Sequence, residues 1–338
     1  MAQQETSTPG AQREWVDFAW PVKEELAAVE KILNEVVSRD VPVVREIYHQ
    51  MLRGGKRLRP TLMLLSAASF RPLTPGDHAL YRAAAAVELV HLASLLHDDL
   101  VDKSATRRGK PSIQSQYGVE AAVLTGDYIA AMAYRRLSLQ GRPRALSRLA
   151  SAVASMCEAE LVVLSRRDSM LDLRAYLAVA AGKTGSLMSA ACEIGAMEGG
   201  ADLLNTQLLG AFGRDLGIAF QIADDLLDLY GEPGQTGKPR GKDLTSNQPN
   251  LPVILALQGD AHGRLRQLLE RLRASGEQSE EAIAEAAALV ERLGGRAEAR
   301  KLAEQYALSA SERLTQVPEG PAREALLAAC HYVVRRAK

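Results

Sequence analysis

The sequence predicts an all-α, single-domain helical bundle, and three observations carry that prediction. Proline is absent between Pro143 and Pro233 and again between Pro252 and Pro318, while Ala, Leu, Glu and Arg fill both stretches. Apolar residues recur with helical rather than strand spacing. Strand signals are nearly missing.

Taken in order, residues 1–12 read as a disordered tail and residues 13–338 as one domain without a composition break. A first strongly apolar helix follows Pro75, Gly76 and Asp77 and runs from about Ala79 through Val87, Leu89, Val90, Leu92, Leu95 and Leu96 into HDDLVD. A second runs from about Asp202 through Leu208, Leu209, Phe212, Leu216, Ile218, Phe220 and Ile222 into ADDLLD. Both are apolar around most of their circumference, which places them inside a bundle. Further on, Ile283, Ala286, Ala287, Val290 and Leu293 form one helical stripe, with Ser279 the expected N-cap and Gly294 and Gly295 the expected stop.

Length and charge exclude several classes. The 338 residues are enough for a sizeable core. Lys and Arg number 41 against 41 Asp and Glu, and a formal charge of zero argues against a nucleic-acid binder, which needs an excess of cations facing phosphates. Cys157, Cys192 and Cys330 are odd in number, far apart and without zinc spacing, which fits a reducing compartment. The start, MAQQETSTPGAQREW, lacks the basic and apolar regions of a signal peptide, and charges or glycines are expected to keep every apolar run short of a membrane span. The expected location is cytoplasmic.

The chemistry lies where the two apolar helices end. Asp98, Asp99 and Asp102 share the DDLxD order of Asp224, Asp225 and Asp228. Residues four apart project from one helical face, so Asp98 stands beside Asp102 and Asp224 beside Asp228. Like charges repel there, and a helix C-terminus disfavours a carboxylate by a few tenths to about one kcal/mol. A nearby apolar core raises the cost further. One such motif is most simply a solvated helix end; two, on the two most buried helices, call for a cation. Oxygen ligands without neighbouring His or Cys suit a hard ion, and magnesium, which prefers carboxylates together with phosphate oxygens, is the natural choice.

Basic residues follow each cluster. Arg107 and Arg108 occupy a turn ended by Gly109, and a Gly/Pro-rich loop carries Lys238, Arg240 and Lys242 before Asp243. Upstream, MLRGGKRLRP supplies Lys56, Arg57 and Arg59 after two glycines at the start of a helix whose free amides also favour anions. Arginine grips phosphate bidentately and lysine supplies a point charge. Together these describe a site for more than one diphosphate.

GGKRLRP, HDDLVDKSATRRG, GKTGSL, FQIADDLLD and GKPRGKD together resemble the trans-type isoprenyl diphosphate synthases, or polyprenyl synthetases, in order and spacing from about Leu52 onward. The resemblance implies an all-helical bundle around a deep central cavity, a homodimer, and condensation of isopentenyl diphosphate onto an allylic diphosphate. It implies that Asp98, Asp99, Asp102, Asp224, Asp225 and Asp228 hold three Mg2+ ions bridging to the allylic diphosphate, which Arg107, Lys183 and Lys238 also contact. Lys56, Arg59, His91 and Arg108 would bind the diphosphate of isopentenyl diphosphate, while Thr184 and Gln221 would stabilise the allylic cation. The released diphosphate would take the proton. The charges agree: six aspartates offset three divalent ions, and Lys56, Arg59, Arg107, Arg108, Lys183 and Lys238 offset two diphosphates, so the site is near neutral only when fully loaded.

Single residues narrow the reading. His91 and His97 are six apart and face different ways, so they do not share a metal, and His97 is as readily structural as functional. Gly182-Lys183-Thr184 is not a P-loop, because Leu177 stands where the first glycine is needed and a helix, not a strand, precedes it. Ala93 and Ser94 lie one turn before Asp98. In the resembled family bulky residues there close the cavity, so these small ones imply a product longer than twenty carbons, thirty to fifty being expected, with the tunnel floor near Met132 or Tyr134. Such a product also implies transient membrane contact. Two departures stand out: Gln248 falls where the family has a lysine, and Val162 or Val163 where many relatives have glutamine. The competing readings are a geranylgeranyl-length synthase; a terpene cyclase, which would not need the second diphosphate site; and a subunit of a heteromeric prenyltransferase, which would not need all six aspartates.

Overall fold

The computed structural model describes residues 18–36, 41–107, 109–166, 171–231, 241, 243–244, 248, 250–275 and 280–336. The tail expected over residues 1–12, and Arg108, Lys238, Arg240, Lys242 and Ser279, lie outside them. In chain order the helices are α1 (Lys23–Asn34), α2 (Pro42–Leu52), α3 (Leu58–Ala68), α4 (His78–Val101), α5 (Ile113–Tyr117), α6 (Val119–Leu139) and α7 (Pro143–Ser165). There follow α8 (Leu173–Ala180), a π-helical turn (Ala181–Gly185), α9 (Ser186–Gly199), α10 (Leu203–Tyr230), α11 (Leu251–Gln258), α12 (Arg264–Ser275), α13 (Glu280–Arg292), α14 (Gly295–Arg313) and α15 (Pro321–Arg336). The fold is all-α, as the proline spacing predicts. The strands described are two residues each, β1 (Thr106–Arg107) and β2 (Lys110–Pro111), paired antiparallel with Arg107 opposite Lys110.

The two apolar helices are the axis of the bundle. Helix α4 has 24 residues and α10 has 28, lengths of about 36 and 42 Å. Asp202 caps α10 by accepting the amide of Asn205 at 2.8 Å. Helix α4 packs on α1, α3 and α6, and α10 on α9 and α14. Leu89, Leu92, Leu96, Phe212, Leu216 and Ile222 are buried in one continuous core, each contributing about 1.5–3 kcal/mol relative to exposure. A smaller core cluster joins Leu229 and Leu244 to Val253, Leu269, Ile283 and Val290, and Tyr230 touches both clusters.

One expectation changes. Helix α4 is long and apolar enough to cross a membrane, contrary to the expectation that no run would be; however, 72% of its apolar window is buried inside the fold, so the core already occupies it. The paired glycines stop α13 at Arg292 as expected, Gly294, at φ +82°, turning the chain and Gly295 beginning α14 at once. Ile283, Ala286, Ala287 and Val290 are buried as the stripe requires, and Leu293 is half-buried.

Candidate active site

The end of α4 places its three carboxylates in different surroundings. Asp98 is half-buried, and burial raises its carboxyl above the usual range, Glu160 and Asp102 adding to the rise while Lys183 and Arg107 oppose it. Asp99 is buried and accepts from Arg107 Nη1 at 2.7 Å; its other oxygen has no hydrogen-bond partner. Arg107 also donates to the Leu95 carbonyl at 3.2 Å. The strand pair therefore folds Arg107 back onto α4. Asp102 accepts the side-chain amide of Gln248 at 2.8 Å.

Lys183 enters from the π-turn. Its ammonium pairs with Glu160 of α7 and lies 3.9 Å from Asp98. Burial pulls its pKa down, but Asp98 and Glu160 outweigh that and raise it, so Lys183 stays charged. The turn is possible because α10 comes very close: a Cβ on Gly217 would lie 2.6 Å from Gly185 Cα. Single π-turns inside α-helices recur at functional sites because they redirect a side chain.

The second triad is built on α10. Asp225 is buried and accepts from Tyr176 at 2.7 Å, the Leu251 amide at 2.9 Å and Gln221 Nε2 at 3.1 Å. Burial and the charge of Asp243 push its carboxyl up to about 8 against those donors. Thr184 donates to Gln221 Oε1 at 2.8 Å. The chain Thr184–Gln221–Asp225–Tyr176 thus fixes the orientation of Gln221. Asp224 pairs with Arg336 of α15 at 2.7 Å, and that guanidinium stacks 4.5 Å above the Phe220 ring. Asp228 accepts the Asp243 amide at 3.3 Å.

The two halves meet at Arg59. Burial lowers its pKa, and the charges opposing that come from Glu88, from Asp224 on α10 and from Asp98 on α4. One guanidinium is therefore within electrostatic reach of both triads. Lys56 is held by the Tyr332 hydroxyl at 3.1 Å. A cavity of about 590 Å³ adjoins this region, with Arg53, Gly54, Leu95, Arg107, Lys110 and Ile113 in its wall.

Among the described residues no group of three His, Cys, Asp or Glu side chains is gathered as a metal cage. The carboxylates instead lean on cations and an amide: Asp98 on Lys183, Asp99 on Arg107, Asp224 on Arg336 and Asp102 on Gln248. The donor set is nevertheless all oxygen, crowded with like charge and carrying the orphaned Asp99 oxygen, which fits a hard divalent ion.

The structure brings together Lys183, Asp98, Asp102 and Gln248, and separately Thr184, Gln221 and Asp225. Arg57, grouped by sequence with Lys56 and Arg59, is instead buried among carboxylates. His91 and Ser94 are half-buried and Ala93 buried; the Ser94 hydroxyl bonds back to the His91 carbonyl at 2.9 Å. His97 sits 3.5 Å from Asp127, Val162 is exposed, and Val163 is buried. Met132 and Tyr134 are half-buried against the core. Tyr176, Glu160, Tyr332 and Arg336 escape sequence reading, because each reaches the site from a distant helix. Only Glu160, one turn before Val163 on a polar-apolar boundary, leaves even a local trace.

Residues 41–290 match the polyprenyl synthetase family. The chain is 36% identical over 324 residues to nonaprenyl diphosphate synthase of Mycobacterium tuberculosis, covering 94% of each. Its fold superposes with a TM-score of 0.87 on a decaprenyl diphosphate synthase from Rhodobacter capsulatus, at 34% identity over 96% of this chain and 99% of that one. It superposes equally, TM-score 0.87, on a polyprenyl synthase from Caulobacter crescentus CB15 complexed with calcium and isoprenyl diphosphate, at 32% identity over 98% of this chain and 99% of that one. The chain belongs to the polyprenyl synthetase family.

Proposed function

We propose that this protein is a prenyltransferase that condenses isopentenyl diphosphate head-to-tail onto an allylic diphosphate, giving an all-trans polyprenyl diphosphate longer than twenty carbons, in the thirty-to-fifty range. The observation that carries it is that the two core helices α4 and α10 each end in an acid triad, and that cations reach this region from separate elements, Lys183 and Arg107 paired with Asp98 and Asp99 and Lys56 and Arg59 from the turn into α3. A site for one diphosphate needs one cluster of cations; here Lys183 and Arg107 pair with the α4 triad, and Lys56 and Arg59, on the approach to α3 and its first turn, form a second cluster.

Asp98, Asp99, Asp102, Asp224, Asp225 and Asp228 are the residues that would hold magnesium, three ions by the charge count, with Asp99 also bracing Arg107 and Asp225 also bracing Gln221. Bound there, the metal supplies charge neutralisation for the departing diphosphate. Lys183 and Arg107 add fixed positive charge at the same leaving group, and electrostatic stabilisation of this kind is the main catalytic contribution in such a site. Gln221, oriented by Asp225 and Thr184, turns its carbonyl oxygen to the neighbourhood of the allylic carbon. Lys56, Arg59 and His91 hold the second diphosphate, joined by Arg108.

The protein works as a homodimer in this reading. Leu124 and Leu139, on one face of α6, and Leu161 of α7 are exposed apolar side chains on neighbouring helices, a surface that a second copy would cover. The cytoplasm is the proposed location, on the strength of three free cysteines, with transient membrane contact for the product. The test is incubation of the purified protein with farnesyl diphosphate, isopentenyl diphosphate and magnesium, followed by mass analysis. Long polyprenyl diphosphates are expected; turnover that does not depend on isopentenyl diphosphate would overturn the assignment.

A further inference from the structure

Of the three cations in the turn before α3, one is consumed inside the protein. Arg57 is only 6% exposed and adopts φ +53°, a left-handed conformation that residues other than glycine rarely take. Its guanidinium donates to the Leu52 carbonyl at 2.7 Å, to Glu88 at 3.2 Å and to both oxygens of Glu30. Its carbonyl accepts both the amide and the hydroxyl of Thr61, at 3.0 and 2.9 Å. Arg57 thereby ties the end of α2, the start of α3, α1 and α4 to one another.

The neighbouring cations are left for other work. Glu88 is buried, and burial raises its carboxyl while Arg57 and Arg59 oppose the rise; its second oxygen has no hydrogen-bond partner, and neither has Arg59 Nε. Lys56 contacts the uncharged Tyr332 hydroxyl. Gly55 completes the arrangement, since a Cβ there would lie 1.8 Å from Arg57 Nη1. Glu30 comes from α1, ahead of the residues 41–290 that define the family match.

We propose that Arg57 is a positioning residue: the Glu30–Arg57–Glu88 clamp holds the turn in its left-handed form, neutralises the Arg57 guanidinium, and so leaves Lys56 and Arg59 as the cations presented to the diphosphate of the non-allylic substrate. The identity of that substrate rests on the prenyl-transfer reading; the presentation of two cations to a diphosphate does not. Helix α1 is on this account part of the substrate site without touching substrate.

The test uses the full chain and the variants Gly55→Ala, which evicts the guanidinium without altering any charge, Arg57→Met and Glu30→Gln. The KM for isopentenyl diphosphate is expected to rise about tenfold in the first two, the size of one lost charge-assisted contact. A smaller rise is expected in Glu30→Gln, where Glu88 persists. The KM for farnesyl diphosphate and kcat at saturation should stay within a few-fold in all three. An equal rise for both substrates, or a loss of melting temperature without a split between them, would make the clamp merely structural and overturn the proposal. If Gly55→Ala and Arg57→Met do not fold, Glu30→Gln decides, because Glu30 is partly exposed, and an unchanged KM in that variant is fatal. If the wild type shows no isopentenyl-dependent elongation, prenyl transfer fails. The clamp is then judged by calorimetric binding of inorganic pyrophosphate in chelator, where weaker binding by Gly55→Ala supports it and equal binding overturns it.

Discussion

Gln248 donates its side-chain amide to Asp102 across 2.8 Å, tying the segment that follows the second acid triad to the last carboxylate of the first. A neutral residue thus stands where the resembled family has a cation, and the site carries one positive charge fewer. Gln248→Lys should pair with Asp102 and offer the allylic diphosphate a further ligand, lowering its KM about three- to tenfold at saturating magnesium. Steady-state kinetics with farnesyl diphosphate as the varied substrate checks this; an unchanged or raised KM would show that Gln248 only braces Asp102.

Asp98 sets activity against stability. Its carboxyl is raised by burial and by two neighbouring acids, so in the metal-free protein its charge is unfavourable. Asp98→Asn should cut turnover by about three orders of magnitude or more while leaving the melting temperature in chelator unchanged or higher. Retention of a tenth of wild-type turnover would remove Asp98 from the metal set. Asp224→Ala should lose turnover similarly, and with it the partner of Arg336.

The pH dependence of the metal-free protein follows from Asp225. Its folded-state carboxyl stands at about 8, raised by burial and Asp243, against about 3.9 in an unfolded chain. The folded state therefore binds more protons between those values, and stability is lost as pH rises through that window. Melting temperature in chelator should fall from pH 5 to pH 8, and Asp225→Asn should reduce the slope. Asp98 and Glu88, shifted the same way, retain the rest. A slope of opposite sign would mean that the three donors to Asp225 outweigh its burial.

Product length should respond to substitutions on α4. Ala93 is buried and Ser94 half-buried one turn before Asp98. Ser94→Phe or Ala93→Phe should shorten the product to twenty carbons or fewer while the first condensation proceeds, at about 1–3 kcal/mol of overpacking cost in stability. Mass analysis of the products decides; full-length chains from both variants would place the growing product elsewhere.

Much of this was legible in the sequence because it is local. The DDLxD pairs, their position at the ends of apolar helices and the GGKRLRP turn depend on spacing along one helix, and spacing is what a sequence displays. What reaches the site from elsewhere was not. Tyr176 meets Asp225 across 49 positions and Arg336 meets Asp224 across more than a hundred; such contacts depend on how helices cross, which no local period encodes. The π-turn under Lys183 was not legible either, nor was the close approach of Gly217 on α10 to Gly185 at its end. Arg57 shows the opposite failing. Its residue type and place both suggested a phosphate ligand, and only burial beside Glu30 and Glu88 reveals that it faces inward.

Helix α4 carries Ala93 and Ser94 toward Asp98 along a single rigid rod. On the function proposed here, these are graduations on a ruler whose tip is the reaction centre. Exchanging a graduation resets the length at which growth halts without disturbing the tip, so descendants of one ancestral enzyme can diverge in product by isolated point changes. Inserting or deleting a residue within the rod would rotate every mark at once, and such lineages should be absent.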